Sequence, residues 1–220
     1  MSRSDHDRDR ARPRAHIDPV SPEPPVPDPA LVIRDEDWYG QDISGRRYDH
    51  HSFIDTDWTE VTDEGAVFDH CVFSGVRFNA SRHTAAAFTN CTFRRCVFFD
   101  TDFTDCKLVG SLFQQCDYTL FRVVRGDWSF VGFPGADLRE AVFDGVRMRE
   151  ADLTAARLEK AVITGTDLSG AMLHGSKLTG ADLRGSDLSS LDPLTVELAG
   201  ARIGLEQAVT LATALGLKVT

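Results

Sequence analysis

Residues Ala181-Asp182-Leu183-Arg184-Gly185 state the rule from which this chain is built: small, polar, large apolar, polar, glycine. The same unit is plain at Ala136-Asp137-Leu138 and Ala151-Asp152-Leu153. Its period is five. From Ile33 to Ile203 there are 35 positions in phase with Leu183, and 32 are apolar or aromatic, against about 15 expected from a chain that is 42% hydrophobic. Sixteen of the 20 aromatic residues fall in this phase. The register holds over about 170 residues, so no loop insertion interrupts it.

The neighbouring positions keep step. Two residues before each centre the side chain is small, and all five cysteines (Cys71, Cys91, Cys96, Cys106, Cys116) fall there. Two residues after it stand 13 of the 17 glycines. Neither a period of 3.6 nor one of 2 describes this pattern. Two inward side chains and a glycine-rich corner in five residues suggest one side of a coil. Four sides make a square turn of about 20 residues, and successive turns stack as parallel strands about 4.8 Å apart. The large residue fills the axis, the small one fits beside it, and glycine accepts the positive φ of the corner. No coil buries its own faces, so stability comes from stacking.

This Ala-Asp-Leu-x-Gly type of repeat, sustained from about residue 38 to 203, resembles the pentapeptide repeat family. The resemblance implies a right-handed quadrilateral β-helix, an all-β solenoid. A narrower likeness rests on Ser81-Arg82-His83, on Ala87-Phe88-Thr89-Asn90-Cys91-Thr92-Phe93, and on the ending with Asp192-Pro193, Gly200-Ala201-Arg202-Ile203 and Gln207-Ala208-Val209. These stretches are similar to the fluoroquinolone-resistance (MfpA/Qnr-like) group of that family. The likeness implies a non-enzymatic DNA mimic that binds DNA gyrase, a type II topoisomerase. It further implies protection of gyrase from quinolones or natural poisons, and a homodimer formed through the C-terminus. The alternative is a generic scaffold for an unrelated protein partner.

The 220 residues carry 24 Lys+Arg against 34 Asp+Glu, a net −10. This balance argues against direct binding of nucleic acid or an acidic membrane and favours a basic partner surface. Residues 1–30 hold seven of the nine prolines and an alternating Asp/Arg run, and read as a disordered tail. The expected organisation is therefore tail 1–30, β-helix 31–203 and C-terminal helical cap 204–220. No apolar run approaches a membrane span, the Arg-rich start is not a signal peptide, and an odd cysteine number points to a reducing cytoplasm. No cofactor motif is present: neither Walker A, GxGxxG, HExxH nor CxxC occurs.

Three centres break the rule: Asp63, His83 and Pro193. Asp63 and His83 are 20 residues apart and should stack, with Val123 and its bulky neighbour Phe121 in the same column. A satisfied Asp–His pair at a bulge is the first reading of this irregular face, a partner contact the second, a catalytic dyad the third. His50 and His70, with Asp49 and Asp69, stand one coil apart at a corner; a solvated corner is favoured over a metal site. Cys71 with Cys91 and Cys96 with Cys116 stack within disulfide reach, yet small inward cysteines read as reduced and structural. Leu205, Ala208, Val209, Ala212 and Leu215 have helical spacing, followed by Leu217, and suit a cap that also dimerises. Asp192-Pro193-Leu194 should bend the last full coil out of regular pairing.

Duplex DNA carries one charge per ~1.7 Å, so a rod of about 40 Å would need about 23 charges to match it. Residues 31–120 hold 15 acids and 8 bases, residues 121–220 hold 13 and 11. Charge mimicry is partial and stronger in the N-terminal half. Asp100, Asp102 and Asp105 are the acids expected to contact gyrase.

Overall fold

The five-residue unit is one side of a square. The computed structural model describes residues 31–220, and the disorder expected over 1–30 lies outside the described residues. Each side supplies a three-residue strand, such as Val67–Asp69 or Val72–Ser74, or a single bridging residue. Pairing is parallel at a spacing of twenty. One column runs unbroken from Asp42 through Thr62, Arg82, Asp102, Arg122, Val142, Val162 and Asp182 to Arg202. The other three columns begin with the pairs Val32–Ser52, Asp37–Asp57 and Arg47–Val67. The chain is thus a parallel β-solenoid, closed at its C-terminal end by one helix, Leu205–Ala214. Among the described residues no helix is long and apolar enough to cross a membrane.

The centres are the core. Phe53, Phe73, Phe93, Phe113 and Phe133 form one stack with ring centroids 4.5–4.9 Å apart, the spacing of the ladder itself. Burying each such side chain contributes about 1.5–3 kcal/mol before entropy is counted. The corner follows two residues later. Thirteen glycines there adopt positive φ, as expected, but so do 19 non-glycine residues, from Asp35 to Lys160, with φ of 51–61°. Stacking therefore holds many L-residues in a left-handed conformation that costs them about 1–2 kcal/mol each.

The small position has a role that its size does not reveal. Many corners are open: the centre carbonyl receives no turn hydrogen bond from the third residue after it. The small residue of the next coil supplies the donor instead. Cys91 Sγ donates to Phe68 O (3.4 Å), Cys96 to Phe73 O (3.4 Å) and Cys106 to His83 O (3.3 Å). The Ser111 and Ser186 hydroxyls do the same for Phe88 O (2.6 Å) and Ile163 O (2.7 Å). All five thiols are free. Burial pushes the Cys106 thiol up to about 12.

The C-terminal helix departs from the sequence reading. Its apolar stripe does not face the last coil: Leu205 is 85% exposed, Ala208, Val209, Leu215 and Leu217 are also exposed, and Ala212 is half-buried. Docking is done by Gln207 and Leu211. The Gln207 amide donates to Leu183 O (2.6 Å) and Ser186 O (2.8 Å), while its Oε1 accepts from Gly204 N–H (2.6 Å). The physical reason is that the last coil ends in carbonyls with no further strand above them, and these need donors more than apolar cover. Around Asp192-Pro193-Leu194 the Met172 column has no further bridge, as expected of a proline that cannot donate.

Candidate functional site

Asp63 and His83 are neighbours in one regular ladder, with Phe103 and Val123 next in line and no bulge. Their side chains are fully buried. His83 Nδ1 bonds Asp63 Oδ2, and His83 Nε2 lies 3.0 Å from Ser81 Oγ. A Ser–His–Asp chain results, but no solvent or substrate reaches it. The Ser81 hydroxyl donates to Phe78 O (2.6 Å), so its proton is not offered to the imidazole as nucleophile activation requires. Phe121 and Val123 are equally buried, the large side chain taking the volume that the small centre leaves. This irregular face is interior and presents nothing to a partner.

The three acids expected at a partner contact are partly exposed and already paired. Arg82 bridges Asp100 (3.0 Å) and Asp102 (3.1 Å), and Arg125 holds Asp105 through both oxygens (2.6 and 2.7 Å). Hydrogen bonding from Arg125 lowers the Asp105 carboxyl below its ordinary value. The excess of acids over bases is largest at the N-terminal end, where residues 31–75 hold 11 acids and three bases. Among the described residues Asp35, Asp37, Asp55 and Glu64 have no Lys or Arg partner. Here like charges also face one another across the ladder: Asp37 pairs with Asp57, and Asp49 with Asp69. Such pairs cost stability.

One interruption breaks the solenoid wall. Bridges join Val97 to Asp117 and Asp137 to Arg157, but no backbone hydrogen bond joins residues 116–120 to 136–140. An open cleft of about 810 Å³ results, lined among others by Tyr118, Leu120, Asp117, Arg139, Glu140 and Lys160. The buried Tyr118 hydroxyl beneath it has no partner, and burial pushes its phenol up. The gap coincides with a change of corner. Phe113 ends in an open turn, whereas Phe133-Pro134-Gly135-Ala136 closes with Ala136 N–H to Phe133 O (3.1 Å) and Gly135 at φ 65°. Pro at the second and Gly at the third place is the type II turn signature, so the closed corner, though not the gap, is written in the sequence.

At the corner near Tyr48, the His50 and His70 rings stack with centroids 4.9 Å apart and an interplanar angle of 2°. His50 Nδ1 bonds Asp49 Oδ1 (2.9 Å) and His70 Nδ1 bonds Asp69 Oδ1 (3.1 Å). Asp69 also accepts from the Thr89 hydroxyl (2.7 Å).

Comparison with known proteins agrees with this geometry. A family model described as pentapeptide repeats matches residues 133–159 and 151–189 in eight copies. Residues 133–189 are similar to pentapeptide repeats, and the same five-residue side recurs through the coils before them. A second model, the SV2A/B/C luminal domain, matches residues 41–120. No curated protein matches the chain. Among solved structures, a trypsin-treated form of QnrB1, a plasmid-mediated fluoroquinolone resistance protein, is similar at 19% identity. Its TM-score is 0.68, over 86% of this chain and 98% of that one. HetL, a pentapeptide repeat protein involved in heterocyst differentiation regulation from the cyanobacterium Nostoc sp. strain PCC 7120, is similar at 17% identity. Its TM-score is 0.52, over 78% of this chain and 84% of that one. At these identities the likeness is one of fold. The pentapeptide repeat rod thus carries its distinctive chemistry outside, in the acidic N-terminal coils, the cleft and the C-terminal apolar stripe.

Proposed function

We propose that this pentapeptide repeat protein is a non-enzymatic DNA mimic that binds DNA gyrase and protects it from quinolones or natural gyrase poisons. The observation that carries the reading is the set of acids in the N-terminal coils: Asp35, Asp37, Asp55 and Glu64 have no Lys or Arg partner among the described residues, and Asp37 also faces Asp57 across the ladder, where Arg77 holds only Asp57. A fold that keeps such repulsion gains nothing from it alone, whereas a surface built to hold DNA phosphates relieves it. The likeness of the rod to QnrB1, a fluoroquinolone resistance protein, supports the same reading. Asp100, Asp102 and Asp105 flank this region, with their charge reduced by Arg82 and Arg125. The exposed stripe of Leu205, Val209 and Leu215 supports a homodimer through the C-terminus, with the acidic coils at its distal ends.

The test is a gyrase supercoiling and cleavage assay with and without a fluoroquinolone. Inhibition of supercoiling at high dose, or less drug-stabilised cleavage at low dose, supports the reading. If neither changes with gyrase from the same host, the rod serves as a scaffold for another protein. That alternative draws on the cleft between residues 117 and 137, which DNA mimicry does not require.

A further inference from the structure

We propose that Asp49, His50 and His70 form a binding site for a first-row divalent transition metal ion such as Zn²⁺ or Ni²⁺. Their ligand atoms all lie within 4.8 Å of one another, and all three residues are exposed. The parallel ladder sets this distance, because Asp49 is in register with Asp69 and the two histidines follow them round the same corner. A tetrahedral ion with bonds of about 2.0–2.1 Å needs ligand atoms about 3.3 Å apart. Small rotations of two exposed rings close that difference. The Asp69–His70 hydrogen bond engages Nδ1 and leaves His70 Nε2 free, the arrangement in which a carboxylate outside the ligand set orients an imidazole for a metal, while Asp49 would exchange its hydrogen bond to His50 Nδ1 for the ion. Two imidazoles and a carboxylate favour Zn²⁺, Ni²⁺ or Cu²⁺ over Mg²⁺ or Ca²⁺. A bound cation also relieves the repulsion between Asp49 and Asp69, which have no Lys or Arg partner among the described residues. The ion would tie two successive coils together and keep coordination positions open to solvent.

The experiment uses the full chain without a polyhistidine tag. Zn²⁺ is titrated while the ring nitrogens of all seven histidines are followed by NMR. The expected result is that one equivalent moves the His50 and His70 signals together, that the melting temperature rises, and that Ca²⁺ does neither. His50→Asn and His70→Asn should each weaken binding at least tenfold. Asparagine is chosen because Asn90 already holds the equivalent left-handed corner one coil on, at φ 53°, so the variants keep the fold. The proposal is overturned if the His50 and His70 signals stay still in the wild type, or if both variants bind Zn²⁺ as tightly as it does.

Discussion

Asp63 and His83 occupy positions where every neighbouring coil uses a large apolar side chain. A buried, hydrogen-bonded Asp–His pair is costly to break, since removing one partner strands the other. Asp63→Ala should therefore destabilise the chain by about 3–5 kcal/mol, whereas the double change Asp63→Leu with His83→Phe should be neutral or stabilising by about 1–4 kcal/mol. Urea denaturation measures both, and equal losses in the two variants would refute this account. The thiols make a second residue-scale prediction. Burial raises Cys106, which pairs with no other thiol, from an ordinary 9.0 to about 12. A group with a raised folded-state pKa contributes stability that is complete below its unfolded value and is lost as pH climbs through the folded one. The urea midpoint should fall between about pH 9 and 12, and Cys106→Ser should lessen that fall while keeping a donor for His83 O.

Elements here are corners and caps more than strands, and two substitutions separate their roles. Gly40 and Gly126 both have positive φ, 62° and 91°, but a Cβ at Gly40 meets nothing within 4 Å while one at Gly126 runs into the Cys106 backbone. Gly40→Ala should cost about 1–2 kcal/mol, the left-handed penalty alone. Gly126→Ala should cost about 3 kcal/mol or more, because backbone cannot yield as a side chain does. Thermal melts rank the two, and a reversed order would refute the packing argument. At the C-terminus, Gln207→Ala leaves Ser186 O unpaired and removes the second donor to Leu183 O, which keeps its bond from Ser186 N–H, at about 1–2 kcal/mol. Hydrogen exchange should show the loss confined to residues 183–186 and the helix.

For the molecule as a whole, the distribution of neutralised and bare charge matters more than its sum. Reversing Asp35 and Asp55 together should weaken gyrase binding several-fold, and reversing Asp105 less, because Arg125 already offsets that acid. Binding measured at two salt concentrations checks this, with the double variant showing the shallower salt dependence. Equal effects would move the contact surface away from the first coils.

Almost all of the fold was legible in the chain. The five-residue phase from Ile33 to Ile203, the small inward position and the corner glycines dictate a square parallel solenoid, since each coil is identical in its needs and only stacking meets them. The stacking of Asp63 on His83 and of His50 on His70 followed from the spacing of twenty. What the pattern could not express is the fate of individual hydrogen bonds and charges. Whether Asp100 or Asp105 is bare depends on where Arg82 and Arg125 come to lie one coil away. That the helix docks through Gln207 and turns Leu205 and Val209 to solvent depends on two carbonyls at the end of the stack, 21 and 24 residues back, of which Ser186 O has no other donor. The break between residues 116–120 and 136–140 leaves the five-residue phase intact, so the pattern passes through it without a mark. Periodicity sets where each residue stands; partners across the ladder set what it does there.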